Sequence, residues 1–371
     1  MNQLLALCAR VELDPSTLTL LAQEANSLAD WSEVLTLAGH HGLGPLLYAH
    51  LKAAGVSPPL PVRQTLQGLY LRHRHANQVR ERVLAEILKA YQAAGIPAVA
   101  LKGAALAYLI YPEPGLRPMR DIDLLVAPPQ ARQAQQVLTD IGFTAPLPPA
   151  AEELPGKHLP LATRYSEGLT ISIEVHHNLF NVGDPDSMTL DDLTAPLHPV
   201  TLAGITAYAL PCEEMLWHLC RHLFIVAQPF RLIWLADVVG LAERFAEEID
   251  WVRVKRRYPL VLSTLSLFHF VTPLSERLRQ AAGLEIGPVP QGLGMDFEGW
   301  PRTSIRQQRN RGKKYSRILV DTLAPSEWWL RLYYGLGSTR PLFWRRWVTH
   351  PLRVAGWISQ ELIRQGGKRK K

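Results

Sequence analysis

Cysteine is scarce in this chain, which has only Cys8, Cys212 and Cys220 among its 371 residues. Their number is odd, they are widely spaced, and no two of them form a Cys-x-x-Cys pair. Disulfide frameworks and structural zinc sites rely on paired cysteines, so the sequence predicts neither of them. This cysteine content is typical of a protein from a reducing cytoplasm.

Long apolar runs are also missing. No uninterrupted apolar stretch reaches the length of about 18 residues that indicates a membrane-spanning helix. The first residues, MNQLLALCARVELDPS, contain no basic leader and too short an apolar stretch for a signal peptide. With 47% hydrophobic and 20% charged residues, the composition is ordinary for a folded, soluble protein. We therefore expect a cytoplasmic protein without a membrane span.

Acidic and basic residues are separated along the chain. Residues 1–250 contain 17 Lys or Arg against 26 Asp or Glu, whereas residues 251–371 contain 23 against 7. The formal net charge of +7 therefore combines −9 in the first part with +16 in the second. This segregation predicts that the C-terminal part meets something anionic: nucleic acid, a lipid surface or the acidic N-terminal part itself.

The length predicts two or three domains, and the residue pattern divides the chain into four regions. Helical periodicity marks an N-terminal helical region over residues 1–95, and short buried strands alternate with helices over residues 96–180. The pattern becomes helical again beyond about residue 210, which predicts a helical domain over residues 181–300. Residues 301–371 form a basic, aromatic-rich C-terminal segment.

Two aspartates stand one residue apart at the head of an apolar run, in PMRDIDLLVAP. In a strand, Asp121 and Asp123 point to the same side, while Ile122 and Leu124 point to the other. Such close carboxylates repel each other unless a cation lies between them, one of them is protonated, or both lie in water at the end of the strand. A second alternating stretch, LTISIEVHHNL, places Glu174 on the polar face of another strand.

The segments LKGAALAYLIYPEPGLRPMRDIDLLV and IEVHHNL resemble the uncharacterised bacterial nucleotidyltransferase family, within the DNA polymerase beta-like superfamily of nucleotidyltransferases. FRLIWLADVVGL is similar to the helical continuation of that family, and the resemblance covers roughly residues 30–250. It implies an α+β fold in which a small mixed sheet forms the nucleotidyltransferase core, with helical regions before and after it. It says nothing about the basic C-terminal segment.

The resemblance also implies an activity and a set of site residues. A nucleotidyltransferase moves a nucleoside monophosphate from an NTP to an acceptor hydroxyl and releases pyrophosphate, using Mg²⁺ or Mn²⁺ to neutralise the phosphates. Hard cations prefer carboxylate oxygens, so Asp121, Asp123 and Glu174 are the expected catalytic residues and metal ligands. Lys102, Gly103 and Arg120 are the expected nucleotide-binding residues.

Two features depart from the common superfamily pattern. Ala104 follows the glycine where a small or hydroxyl residue commonly contacts phosphate, so a side-chain contact is lost there. In addition, 17 residues separate Gly103 from Asp121, which is longer than the compact superfamily spacing but fits the narrower family. Arg117 and Arg120 lie in this loop, where they can reach phosphate or pair with the aspartates.

Three further groups of residues admit both a structural and a functional interpretation. His176 and His177 follow Glu174 and serve either as hydrogen-bonded structural residues or in metal and acid–base chemistry. Asp237 and Arg231 form either a buried structural pair or contacts to the nucleotide. The third group is the pair His218 and His222, spaced four apart on one helix face, which is compatible with metal binding.

Two other functions fit parts of the sequence. A metal-dependent glycosyltransferase also uses Asp-x-Asp, but it would release a nucleoside diphosphate instead of pyrophosphate. A non-catalytic binding protein that retains the fold fits the presence of Ala104. The sequence leaves the base preference open, together with the acceptor, which is a small molecule, RNA or a protein side chain.

The segment from Glu327 to Lys371 interleaves aromatic residues with arginines and ends in Lys-Arg-Lys-Lys. This composition fits peripheral contact with an anionic membrane, where Trp lies at headgroup depth. It also fits single-stranded nucleic acid, through stacking and phosphate neutralisation. The structural alternative is that the aromatic residues pack onto the preceding helices while the arginines face water or the acidic first part of the chain. We expect no stable binding to DNA, because no recognisable nucleic-acid module is present.

Overall fold

The structure is a computed structural model that describes residues 2–149, 154, 156–225, 230–293, 305–310 and 312–368. Its first part is helical, as the sequence predicts, and contains α1 (Gln3–Cys8), α2 (Pro15–Ser27), α3 (Ser32–His41), α4 (Gly44–Ala53) and α5 (Leu60–Ala93). Local sequence explains several of the helix ends. Asp14 caps α2 by accepting a hydrogen bond from the Thr17 amide, and Gly95 follows α5 with a positive φ that few other residues adopt.

A mixed sheet lies in the middle of the chain. Within the described residues it has six strands: β1 (Ala98–Leu101), β2 (Ile122–Val126), β3 (Ala162–Ser166), β4 (Leu169–His176), β5 (His198–Leu202) and β6 (Ile205–Ala209). The strands lie in the order β3-β4-β2-β1-β6-β5. The pairs β2 with β4 and β1 with β6 are parallel, and the other neighbours are antiparallel. The expected α+β fold class with a small mixed sheet is confirmed.

Helices cover the sheet. These are α6 (Lys102–Leu109), which packs on β1, β2 and β5, and α7 (Ala131–Asp140), which packs on β4 and α5. All residues of β2 are buried, and so are three of the four residues of β1. Strands buried on both faces form continuous apolar runs, which explains why IDLLV and AVAL contain almost no polar residues. The exception in β2 is Asp123.

The last part of the chain is helical. It contains α8 (Cys212–Ile225), α9 (Leu232–Arg244), α10 (Trp251–Arg257), α11 (Pro259–Phe268), α12 (Glu276–Ala281), α13 (Ile305–Asn310), α14 (Tyr315–Leu323), α15 (Glu327–Tyr334) and α16 (His350–Lys368). A π-helical turn, Arg345–Thr349, precedes α16. Along the described part of the chain, no helix combines the length and the apolar character needed to cross a membrane. The division of the chain into four regions stays a prediction.

Candidate active site

The parallel pairing of β2 with β4 places two acidic residues side by side. In this register Asp123 is aligned with Glu174, and Leu125 is aligned with His176. Because strand side chains alternate with a period of two, Glu174 and His176 lie on the same face of β4. The register therefore brings together a carboxylate from each strand and an imidazole.

Asp123 forms the centre of a hydrogen-bonded cluster. Its Oδ1 lies 2.7 Å from the Lys102 Nζ and 2.8 Å from the His176 Nε2. The same His176 nitrogen lies 3.2 Å from the Glu174 Oε2, so it connects the two carboxylates. The His176 Nδ1 is buried and has no hydrogen-bond partner among the described residues. Since a buried N–H without an acceptor is unfavourable, this geometry favours the tautomer in which Nε2 carries the proton and donates it to the carboxylates.

The charges in this cluster stabilise one another. Burial opposes ionisation of Asp123, but the Lys102 ammonium and the hydrogen bond from His176 hold the pKa of this carboxyl well below its usual range. Burial also opposes the charge on Lys102, yet the nearby Asp123 carboxylate raises the pKa of Lys102 above its usual value. Asp123 is therefore a carboxylate at neutral pH, and Lys102 is an ammonium.

Asp121 lies outside this network, immediately before β2. Its side chain is exposed, whereas that of Asp123 is buried. Desolvation, followed by repulsion from the Asp123 carboxylate, raises the pKa of Asp121. The two aspartates thus differ in environment although they share a sequence motif.

The cluster offers donor atoms for the divalent cation that the resemblance implies. Oxygen or nitrogen atoms of Asp123, Glu174 and His176 all lie within 4.8 Å of one another, and Asp121 is not part of this group. The carboxylate oxygens of Asp123 and Glu174 suit Mg²⁺ or Mn²⁺. The His176 Nε2 is hydrogen-bonded to both carboxylates, which is how a residue behind a metal site orients its ligands. The residues present therefore fit such a cation.

Lys102 and Gly103 form the turn between β1 and α6. Lys102 has a φ of 47°, a left-handed conformation that costs a non-glycine residue about 1 kcal/mol or more. At Gly103, an added Cβ would lie 3.0 Å from both the Arg117 Nη1 and the Met119 Cγ. Position 103 therefore has no room for a side chain unless Arg117 or Met119 moves.

Arg117 forms a second buried ion pair near this turn. Its Nη2 and Nε lie 2.6 and 3.0 Å from the Oδ2 and Oδ1 atoms of Asp237, and the Tyr111 hydroxyl also donates a hydrogen bond to Oδ1, at 2.8 Å. The sequence-based pairing of Asp237 with Arg231 is therefore wrong. Arg231 is instead the residue that precedes α9, and its Nε donates to the carbonyl of His40. The physical reason is that helix α9 begins after Arg231. Arg231 therefore contacts the end of α3, whereas Asp237, inside α9, contacts Arg117.

Comparison with protein families decides the identity of the fold. A family model described as uncharacterised nucleotidyltransferase matches residues 27–271, which is well over half of the chain. The chain belongs to this family. It is accordingly a nucleotidyltransferase, and the resemblance found in the sequence is confirmed.

A solution structure of the antibiotic-resistance factor ANT(2'')-Ia matches this nucleotidyltransferase with 17% sequence identity and a TM-score of 0.33. The match covers 52% of this chain and 97% of that one. The comparison with curated proteins finds no match.

Two residues of the nucleotidyltransferase near the carboxylates were not found by sequence reasoning. His158 pairs with His176 through an isolated β-bridge, and its Nε2 lies 3.9 Å from the Glu174 Oε2. Lys157 lies next to it, and its pKa is lowered, first by burial and then by the charge of Lys102. Both residues belong to an irregular segment outside the strands, so no periodicity marks them.

The histidine pair of α8 lies close to this site without joining it. Burial, and then the charge of Lys102, hold the pKa values of His218 and His222 well below the usual value. The two rings are 6.2 Å apart, and neither residue belongs to the metal-compatible group found within the described residues. These histidines are therefore neutral neighbours of the site at pH 7.

Proposed function

We propose that this nucleotidyltransferase moves a nucleoside monophosphate from an NTP to an acceptor hydroxyl and releases pyrophosphate. The observation that supports this proposal is the alignment of Asp123 with Glu174 in adjacent parallel strands, beside Lys102 at the beginning of α6. Asp121, Asp123 and Glu174 would hold Mg²⁺ or Mn²⁺, which supplies neutralisation of the triphosphate and acidification of the acceptor hydroxyl.

The other residues of the site have separate roles in binding phosphate, orienting the carboxylates and meeting the acceptor. Lys102 places a positive charge at the N-terminus of α6, where backbone N–H groups favour phosphate, and the absence of a side chain at Gly103 keeps this approach open. His176 holds the two carboxylates in one orientation through its Nε2. Glu174 is only partly buried, so it is the carboxylate that an acceptor reaches most easily.

In the proposed reaction, the acceptor oxygen forms a bond to the α-phosphorus. The bond from that phosphorus to the oxygen bridging to the β-phosphate breaks, and pyrophosphate leaves with the electron pair. The proton of the acceptor hydroxyl passes to the carboxylate of Glu174.

The test uses α-labelled NTPs, Mg²⁺ or Mn²⁺, and a cell extract that supplies the acceptor. We expect the label to appear in an acceptor, in equal amount to the pyrophosphate released, with the wild type and with the control variant Asp191→Asn, which changes an exposed aspartate elsewhere. Release of a nucleoside diphosphate would favour the glycosyltransferase. Labelling that is the same in Asp123→Asn as in the wild type would contradict the proposed site.

The location and the C-terminal contact are part of the same proposal. The three exposed aromatic residues Phe343, Trp344 and Trp347 have 63, 70 and 59% of their surface accessible, whereas Trp328 and Trp329 are buried. The segment therefore divides into a part that packs on the preceding helices and a part that presents aromatic rings to solvent. We assign the second part to an anionic membrane surface, in a protein of the cytoplasm.

Arginines beside two nearby tyrosine rings favour an anionic membrane as the partner. Arg345 lies near the Tyr334 ring, Arg353 lies near the rings of both Tyr333 and Tyr334, and these four residues together with Arg221 line a cavity of about 320 Å³. Aromatic residues beside arginines are typical of surfaces that lie at phospholipid headgroups.

Vesicle sedimentation tests the membrane contact. We expect Trp344→Ser and Trp347→Ser to weaken binding to vesicles that contain anionic lipid at low salt, and Arg345→Gln to weaken it about fivefold, since each arginine at such a surface contributes about 1 kcal/mol. Tyr165→Ser, which removes an exposed ring from β3, is the matched control. Equal vesicle binding by all variants would exclude the membrane, and salt-dependent RNA binding lost in the same variants would indicate nucleic acid instead.

A further inference from the structure

Arg80, in the long helix α5, is a buried cation that forms no ion pair within the described residues. It is 8% exposed, and within the described residues its guanidinium makes one hydrogen bond, of 3.4 Å, to the Asn77 Oδ1. Its Nε is buried and has no hydrogen-bond partner there. A guanidinium carries five N–H donors, and burying it unpaired is strongly unfavourable. Such a group is expected where an anion completes its surroundings.

Arg80 and Arg231 both lie near His73. Burial, followed by the charges of Arg72, Arg80 and Arg231, lowers the pKa of His73 to about 4. Burial, followed by the charges of Arg120 and Arg117, lowers the pKa of Arg231. Within the described part of the chain, no carboxylate oxygen lies within 4 Å of the side-chain nitrogens of Arg80, Arg120 or Arg231. The cluster therefore combines like charges that form no ion pair within the described residues, although the Asp121 carboxylate acts on Arg80 from more than 4 Å away.

The side chain of Arg231 is held in position from one side. Its Nε donates to the carbonyl of His40 at 2.9 Å, and its Nη2 lies close enough to Gly42 that an added Cβ would be 3.0 Å away. This packing against the end of α3 restricts the guanidinium. A restricted cation loses less conformational entropy when an anion binds to it.

The cluster lies on the phosphate side of the candidate active site. The Asp121 carboxylate acts on Arg80, and Arg117, which neighbours Arg231, lies against Gly103 at the beginning of α6. A chain of cations thus leads from the N-terminus of α6 to α5. A polyphosphate that begins at Lys102 and Gly103 would extend along it.

We propose that Arg80, Arg120 and Arg231 form a subsite for the two terminal phosphates of the NTP and for the pyrophosphate released from it. This inference rests on the proposed nucleotidyl transfer and adds to it a contribution from the N-terminal helical region. In this arrangement α5 supplies a buried arginine, the loop before β2 supplies an exposed one, and the start of α9 supplies the third. The subsite binds polyphosphate through charge-assisted hydrogen bonds and needs no metal to do so.

Calorimetric titration of the full chain with pyrophosphate, in a chelator-containing buffer at low salt, tests the subsite apart from catalysis. We expect pyrophosphate to bind at least about tenfold more weakly to Arg80→Met and to Arg231→Met, the loss that follows from one hydrogen-bonded charge pair. Arg63→Met, which removes an exposed arginine from the same helix, is the matched control and should bind like the wild type. Arg80→Met should also unfold at a higher temperature, because a buried unpaired charge is gone.

The outcomes separate the subsite from the proposed activity. Wild-type binding of pyrophosphate that depends on Arg80 and Arg231 supports the subsite even if no NTP is turned over, in which case only the proposed function fails. Pyrophosphate binding that is absent, or equal in wild type and variants, overturns the subsite. If transfer occurs and the variants raise the KM of the acceptor while that of the NTP is unchanged, the arginines serve an anionic acceptor and the inference is also overturned. If Arg80→Met does not fold, pyrophosphate binding by Arg231→Met and Arg120→Met tests the subsite in the same way.

Discussion

Asp123 and Asp237 are both buried aspartates paired with a cationic side chain, but they differ in how many of their carboxylate oxygens accept hydrogen bonds. Both oxygens of Asp237 accept hydrogen bonds, from Arg117 and Tyr111. In Asp123, Oδ1 accepts the bonds from Lys102 and His176, and no bond to Oδ2 is found within the described residues. A saturated carboxylate fixes structure, whereas one with a free oxygen is able to bind a ligand. Burial and an adjacent cation alone do not distinguish the two roles.

The largest effect should come from Asp123→Asn. Removing this carboxylate removes a proposed metal ligand, so we expect transfer to fall by about a thousandfold or more, because the loss amounts to several kcal/mol of transition-state stabilisation. The measurement is pyrophosphate release with saturating Mg²⁺. Asp121→Asn should lose activity as well, and Asp191→Asn should not. Full activity of Asp123→Asn would show that the free oxygen of Asp123 is not required for catalysis.

The next largest effect should be on stability. Asp237→Asn leaves the buried guanidinium of Arg117 without its counter-charge, which is expected to lower the free energy of unfolding by about 3 kcal/mol. Urea denaturation followed by circular dichroism measures this loss. The double variant Arg117→Met with Asp237→Leu should recover most of it, since an apolar pair replaces the ions. A double variant as unstable as Asp237→Asn would show that the loss does not come from the unpaired charge of Arg117.

A smaller effect is expected for the residue that orients the carboxylates. His176→Ala should weaken binding of Mn²⁺ about tenfold to a hundredfold, the range found when a residue behind a metal site is removed. Electron paramagnetic resonance of free Mn²⁺ measures this affinity without any turnover. His176→Gln, which retains a donor, should restore part of it. Unchanged Mn²⁺ affinity in His176→Ala would mean that the histidine only fills space.

The smallest effect distinguishes Asp121 from a structural aspartate. Because desolvation and repulsion from Asp123 disfavour its charge, Asp121→Asn should raise the free energy of unfolding in metal-free buffer, by up to about 0.5 kcal/mol as for other exposed positions. The same urea series measures it. A loss of stability in this variant would indicate that Asp121 has a structural partner.

Some of this site could be predicted from the sequence because it depends on local alternation. The period of two put Asp121 and Asp123 on one side and Glu174 on a polar face. The alignment of Asp123 with Glu174 depends on β2 and β4 being parallel neighbours, which local pattern does not determine. The roles of Asp121, Asp123, Glu174, Lys102, Gly103 and Arg120 stay predictions.

Contacts between residues far apart in the chain could not be predicted from the sequence. Arg117 and Asp237 are 120 positions apart, and many acidic residues were available to pair with either arginine. The hairpin of β5 and β6 was also missed, although VTLAGITAY alternates around a two-residue turn. Ala203 occupies that turn with a φ of 44°, next to Gly204 at 77°, where Asn or Asp is the more usual signal.

The parallel pairing of β1 with β6 affects how the chain folds during synthesis. Strand β1 ends at Leu101, but its partner is complete only at Ala209, after more than half of the chain has left the ribosome. Until then the edge of β1 that pairs with β6 is unpaired. Pairings between distant segments form slowly and leave such edges exposed to aggregation. A protein truncated after residue 180 would retain the proposed carboxylates but keep this edge permanently.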